Sequence, residues 1–394
     1  MPSFIKIIFL RVFTTIVIIS IIIGFTIWLR IESKPAEILK FKSGLSLNVL
    51  ESSHTKVGAW LESLYDNAQI PSISAAVGVN GDLVWAGTIG YADLKNKILA
   101  DTNSLYRIGS ISKSLTASAL IKLKEQGVIE LDSSFYSYVK DFPTKPSEFT
   151  IKQLAAHQAG IRHYHQGIGF YFENFNYSDY QNTRQAAAIV EDDDLLFTPG
   201  TSFNYSTYGY TLLALAMESA DNNLFEDIME TEVFSSIEMS STFFDKNNSP
   251  KKEMVAPYLA VKKTLLKAPK INLSYKFAGG GYISTPSDLV RFGNALLGNK
   301  FLPSSSRDIL WTPVLFNNGG VNPENYGLGF RVNQDDLGRC IHHGGKSVGG
   351  YAHFAIYPEL KIVVAFCTNV TPDGFVFDRQ KEAQKLATIF CREI

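Results

Sequence analysis

Apolar and polar positions divide the chain into unlike stretches. From Val12 to Leu29 the sequence "VFTTIVIISIIIGFTIWL" runs 18 residues without a charge, between Arg11 and Arg30. At about 1.5 Å per residue a helix of that length is ~27 Å long, close to the hydrocarbon thickness of a bilayer. A cleaved signal peptide has a shorter apolar region followed by small residues. Here Trp28, Leu29, Arg30 and Ile31 occupy that place. The pattern predicts one transmembrane helix, with residues 1–34 as a membrane anchor and 35–54 as a tether. Basic residues lie on both sides, Lys6 and Arg11 before, and Arg30, Lys34, Lys40 and Lys42 after. Their balance does not favour export of the chain beyond the span.

Beyond the tether the periodicity changes. A short helix is predicted from Lys56 to Asn67. "ISAAVGVNGDLVWAGTIGYADL" then reads as two strands joined by Asn80-Gly81, a strong hairpin signal. The stretch "RIGSISKSLTASALIKLKEQG", 107–127, opens with small polar residues and becomes an apolar helix that Gly127 should end. From Val128 to about Lys270 the pattern is helical and loop-like, punctuated by prolines. Strand patterns return at 279–285, 326–332, 351–358 and 361–369, and an amphipathic helix is predicted over 378–392. Strands bracketing a helical middle predict an α+β fold: an antiparallel sheet flanked by helices, with a mostly helical second lobe. The sheet lobe takes in about 55–109 and 275–394, the helical lobe about 110–274, and 55–394 together form one domain. The 107–127 helix should lie where the lobes meet, a preferred place for a small-molecule site.

Composition narrows the function. A formal net charge of −1 argues against nucleic acid as a partner. The three cysteines, Cys340, Cys367 and Cys391, have neither metal-ligand spacing nor the number for a disulfide framework. "EDDD" at 191–194 reads as a solvated acidic turn rather than a metal site.

Ser110 and Lys113 stand one helical turn apart, and positions i and i+3 share a helix face. Serine there is either an N-cap or a nucleophile whose neighbouring amine removes its proton, provided burial and positive neighbours lower the lysine's pKa. Tyr205 precedes a second apolar helical run, as a core aromatic or as a proton relay. "IHHGGKSVGGYAHF", 341–354, supplies His342 beside glycines that allow close backbone approach to a ligand.

In order and spacing, Ser110-Ile111-Ser112-Lys113, Tyr205-Ser206-Thr207 and His342-His343-Gly344 resemble the three motifs of the serine beta-lactamase and penicillin-binding family, class C-like branch. "LAAHQAGI", "LLFTPGTSFNYST", "AGGGYISTPSDLVRF" and "YGLGF" agree with that resemblance, which covers roughly 55–392. The "GIRHY" run at 160–164 is similar to the mitochondrial-type serine beta-lactamase-like proteins. The resemblance implies a beta-lactamase/DD-peptidase-like fold and a hydrolase working through an acyl-enzyme. Ser110 would be the nucleophile, Lys113 its base and Tyr205 a proton shuttle. His342 would line the strand edge where many members have lysine. Thr207 would face substrate, and Gly344 would belong to the glycine strand. The amides of Ser110 and Gly345 would form the oxyanion hole. No metal or organic cofactor is implied. His157, His163 and His165 belong to a structural loop in this reading.

Thr207 stands where the family usually has asparagine, His342 where it often has lysine, and His343 where threonine or serine is usual. The expected substrates are small peptides, esters or beta-lactams, without distinction among peptidase, carboxypeptidase, esterase and beta-lactamase. A protein that acylates slowly or not at all, acting as a sensor or scaffold, is the alternative. That chemistry leads us to expect the domain on the exported, periplasmic or extracellular side of the membrane, against the count of basic residues.

Overall fold

The computed structural model describes residues 29–391, apart from 36–38, 40, 48, 68–69, 247–252, 262–263 and 373–376, together with a few positions between 12 and 26. The segment expected to span a membrane thus lies mostly outside the described residues. Among those described, no helix is long and apolar enough to cross a bilayer.

The principal sheet is antiparallel. Its strands are β1 (Lys42–Ser46), β2 (Ser72–Val79), β3 (Asp82–Asp93), β4 (Arg331–Asp335), β5 (Gly338–Ser347), β6 (Gly350–Tyr357) and β7 (Ile362–Thr368). They lie in the order β4-β5-β6-β7-β2-β3-β1, with Ile98–Leu99 added beside β3. At the β2–β3 turn Asn80 and Gly81 both have positive φ, 55° and 94°, the conformation that a two-residue hairpin needs.

Both faces of the sheet are covered. Helices α1 (Glu51–Asn67) and α5 (Arg379–Phe390) place Val57, Leu61, Leu386 and Phe390 against Ala75, Val77, Ala355 and Val364. Ala76, Phe354, Val363 and Ala365 face the other way, onto the large core. That core includes α2 (Ser112–Glu125), α3 (Thr207–Asp221) and α4 (Pro286–Leu297). Burial on both faces explains why β2 and β7 read as continuous apolar runs rather than alternating ones.

Several expectations change. The supposed tether contributes β1, which pairs with β3, and α1 begins at Glu51 rather than Lys56. The stretch 326–330 turns, with Gly329 at φ 75°, and pairing as a strand begins at Arg331. The helical middle also holds a hairpin, Tyr258–Val261 with Thr264–Lys267, whose second strand pairs with Ile31–Glu32. β5 escaped the sequence pattern because its glycines and histidines mask the alternation of a strand.

Candidate active site

The turn that carries Ser110 is built by a glycine. Gly109, at φ 52°, lets the chain enter a single 3-10 turn, Gly109–Ile111, immediately before α2. The Ser110 hydroxyl does not cap α2, which has Ile111 at its N-cap and no side-chain cap bond, while the Ser112 hydroxyl donates to the Gly109 carbonyl at 2.7 Å.

Lys113 is fully buried on the first turn of α2. Its Nζ lies 3.3 Å from Ser110 Oγ and 3.2 Å from Thr207 Oγ1, and it donates to the Gly279 carbonyl. Burial, and secondarily the charge of Lys276, hold its pKa well below the usual lysine value. A neutral amine has two hydrogens and one lone pair. With one hydrogen on Gly279 and the other on Thr207, the lone pair is left for the Ser110 O–H.

Tyr205 stands just before α3, whose N-cap Ser206 accepts from the Gly209 amide. Its ring lies 4.7 Å from Lys113 Nζ. The hydroxyl is buried and forms no well-aligned hydrogen bond, although Ser110 is near enough to favour its ionised form slightly. Burial dominates, raises the phenol above its ordinary pKa and keeps it protonated. The Tyr205–Ser110 approach is thus a contact still to be closed. His157 and His163 support this wall, accepting the Ser206 and Thr207 amides at Nδ1 at 3.1 and 3.2 Å. Burial holds both well below the ordinary histidine pKa, His163 at about 3. Among the described residues no cluster of metal-ligating side chains occurs.

The third wall is β5, and here the structure corrects two positions. His342 does not face Ser110. Alternation along the strand directs it to the α1–α5 side, where its ring lies 5.2 Å from that of His353 and neither ring nitrogen has a partner. His343 takes the site face instead: it lines the cavity, with Nε2 3.1 Å from the Tyr326 hydroxyl and Nδ1 2.8 Å from the Gly344 carbonyl. Burial, then Lys113 and Arg331, keep it neutral.

The second correction concerns the amide donor. The hairpins closed by Asp335–Gly338 and Ser347–Gly350 place hydrogen-bonded pairs at 333/340 and 331/342 on one side of β5, and at 345/352 and 343/354 on the other. The Gly345 amide therefore points into the sheet, toward Ala352. β4 ends opposite His342, so Gly344 and Lys346 present their backbone groups on an edge without a neighbouring strand. That edge meets the nucleophile turn: a Cβ on Gly109 would lie 2.7 Å from the Lys346 amide, and one on Gly345 only 1.8 Å from the Ile108 carbonyl. Two glycines make this approach possible.

These elements enclose a cavity of about 300 Å³ lined by Ser110, Tyr205, Thr207, His343 and Gly344. It also holds Lys276, Arg331, Lys346 and Arg379, which the motifs did not single out. Lys276 precedes the "GGG" of 279–281 and Arg379 opens α5, so their place in the site depends on distant parts of the fold. Arg379 donates to the Gly345 carbonyl at 2.7 Å.

Comparison with known proteins agrees with this arrangement. Residues 57–388 match the beta-lactamase family model. The chain is 28% identical over 405 residues to the human mitochondrial serine beta-lactamase-like protein LACTB, covering 80% of this chain and 74% of that one. Penicillin-binding protein 4* of Bacillus subtilis is 26% identical, with 77% and 68% covered. Among solved structures, the D-amino acid amidase of Ochrobactrum anthropi superposes with a TM-score of 0.75 at 18% identity, over 87% of this chain and 100% of that one. That likeness speaks for the fold. The match along most of the chain, on an antiparallel sheet and helices of the same architecture, makes this protein a member of the beta-lactamase family.

Proposed function

We propose that this family member is a serine hydrolase that cleaves amide or ester bonds through an acyl-enzyme on Ser110. The observation that carries the reading is the buried Lys113 amine, 3.3 Å from Ser110 Oγ, with Gly279 and Thr207 as two further partners that can take its hydrogens. Ser110 Oγ attacks the carbonyl carbon while its proton passes to Lys113 Nζ. The Ser110 and Lys346 amides hold the oxyanion, where preorganised donors lower the barrier most. Tyr205, kept protonated by burial, gives its proton to the departing nitrogen or oxygen and regains one from Lys113. Water then attacks the acyl-serine, and the same groups return the proton to Oγ. The names of its relatives, a D-amino acid amidase and a penicillin-binding protein, favour amide, peptide or beta-lactam substrates.

The test is intact mass after incubation with a fluorophosphonate or a penicillin, followed in time. A transient penicillin adduct on Ser110 marks turnover, a permanent one marks a penicillin-binding site that does not deacylate, and a late adduct or none marks the slow-acylating sensor. Ser110→Ala should remove labelling with folding nearly unchanged. Labelling that persists in it places the nucleophile elsewhere.

We also propose that 12–29 anchors the protein in a membrane with the catalytic domain on the exported side. The uncharged run supports the span, and the acyl-transfer chemistry alone supports the side. Protease protection in vesicles tests it: cleavage of the domain from the cytoplasmic face rejects export.

A further inference from the structure

The cavity lining contains four cationic side chains, Lys276, Arg331, Lys346 and Arg379, and no carboxylate. These charges act on different groups. Arg331 and Arg379 both act on Tyr205. Lys276 acts on Lys113 and His163, and its Cδ lies 3.9 Å from where a Cβ on Gly280 would stand. It is the most enclosed of the four, at 3% exposure, and among the described residues nothing accepts a hydrogen bond from its Nζ. Its neighbours are the faces of Tyr164 and Tyr275, at 5.3 and 5.0 Å. The carboxylates nearby are already engaged. Asp245 pairs with Arg107 at 2.6 Å, and Glu173 pairs with Arg162 at 2.9 Å and accepts the His165 amide. Asp245 attracts Lys276 but is committed to Arg107, so burial makes a charge on this amine costly, and the amine opens onto the cavity.

Since Tyr205 serves the leaving group in the proposed mechanism, we assign the acyl half to the cavity amine that does not act on Tyr205. We propose that Lys276 binds a carboxylate carried on the acyl portion of the substrate, so that the enzyme prefers amides and esters of short dicarboxylic or acidic acyl groups. The inference rests on the hydrolase reading above. Reach is short: a Cβ built on Gly280 would lie 3.8 Å from Gly109 C on one side and 3.9 Å from Lys276 Cδ on the other. A few methylenes therefore separate the scissile carbonyl from the ammonium. Burial, reinforced by Arg107, lowers Lys276 to about 7. A bound carboxylate would restore its charge and supply a charge-assisted hydrogen bond, roughly twice as strong as a neutral one.

The experiment compares 4-nitrophenyl hydrogen glutarate with its neutral methyl ester, subtracting spontaneous hydrolysis and following Ser110 acylation by mass. In the wild type kcat/KM should favour the acid by about tenfold. Lys276→Gln should bring the ratio to within about twofold of unity while still turning over the neutral ester, and Lys276→Arg should keep most of the preference. A wild-type ratio near or below one overturns the proposal. So does a preference that survives Lys276→Gln, which assigns the carboxylate to Arg331 and Arg379. Equal loss on both esters in that variant also overturns it, leaving Lys276 a positioning residue for Lys113. Where the variant does not fold, wild-type inhibition decides: free glutarate should compete against the neutral ester and butyrate should not, and equal inhibition overturns the assignment. Absence of both turnover and acyl adduct with either ester overturns the hydrolase reading and this one with it, whereas equal acylation by both overturns this one alone.

Discussion

His342 and His343 are neighbours on one strand, at 4% and 2% exposure, and they live in different chemistries. His343 has a partner at each nitrogen and lines the cavity with Ser110 and Tyr205. His342 turns its back on the cavity, stacks against His353 and leaves both nitrogens unpaired. Burial keeps each neutral. On a strand, a displacement of one residue exchanges faces, so it moves a side chain between a reaction site and a hydrophobic layer. The comparison teaches that a motif on a strand must be read with its parity, and that parity is set by pairing rather than by the motif.

The largest effect should come from the front of the site. Lys113→Arg puts a permanent positive charge where burial favours a neutral amine, and so removes the proposed base, because guanidinium stays protonated at any working pH. Acylation should fall by about 10³-fold, within the range for loss of general base catalysis, as read by stopped-flow or timed mass spectra. A rate within a few-fold of wild type would remove Lys113 from that role.

Gly345→Ala sharpens the comparison next. Its methyl would meet the Ile108 carbonyl at 1.8 Å, so the strand edge must move off the nucleophile turn. Acylation should drop by about 10²-fold, the order seen on losing an oxyanion donor, while the circular dichroism spectrum stays close to wild type.

The two histidines can then be exchanged directly. His343→Leu should lower kcat/KM by about tenfold or more, since it replaces a polar group of the cavity lining and removes the bond that ties β5 to the buried Tyr326 hydroxyl. His342→Leu should leave kcat/KM within about twofold and give unchanged or higher stability, because it removes two buried, unpaired nitrogens. The reverse pattern would return the substrate role to His342.

The smallest effect is a slope. Burial, with Arg331 and Arg379, lowers His342 from the usual histidine value to about 3. Between that value and about 6.5 the unfolded chain takes up a proton that the folded chain refuses. The folded state thus carries no penalty from this group above about pH 6.5, and loses stability as pH falls toward 3. Urea unfolding from pH 7 to 4 should show His342→Leu with a shallower loss than wild type. Parallel slopes would mean that His342 is protonated in the fold. His163, also lowered to about 3, contributes to both proteins alike and does not disturb the difference.

Much of the architecture was legible because local signals sufficed. Asn80-Gly81 required a tight hairpin, and Ser110 with Lys113 at i and i+3 on an apolar helix required shared orientation. Those are properties of a few adjacent residues. β1 was missed because Lys42–Ser46 carries lysine, glycine and serine and becomes a strand only when β3 offers it an edge. Residues 326–330 read as a strand because apolar residues alternate there with glycines, and the turn at Gly329 decided otherwise.

What the sequence alone determined about this protein is the strongly marked elements, the β2–β3 hairpin and the helices that follow Ser110 and Tyr205, while the resemblance of the motifs, rather than their periodicity, joined Ser110, Lys113, Tyr205 and Thr207 into one constellation. Three things were left to the tertiary structure: which of two adjacent histidines enters the site, which β5 amide faces Ser110, and how Lys276, Arg331 and Arg379 gather around one cavity. The physical reason is the range of the interactions. Helical neighbourhood is fixed within four residues, whereas strand parity and the meeting of charges depend on hydrogen-bonded partners more than a hundred positions away, or at the far end of a hairpin.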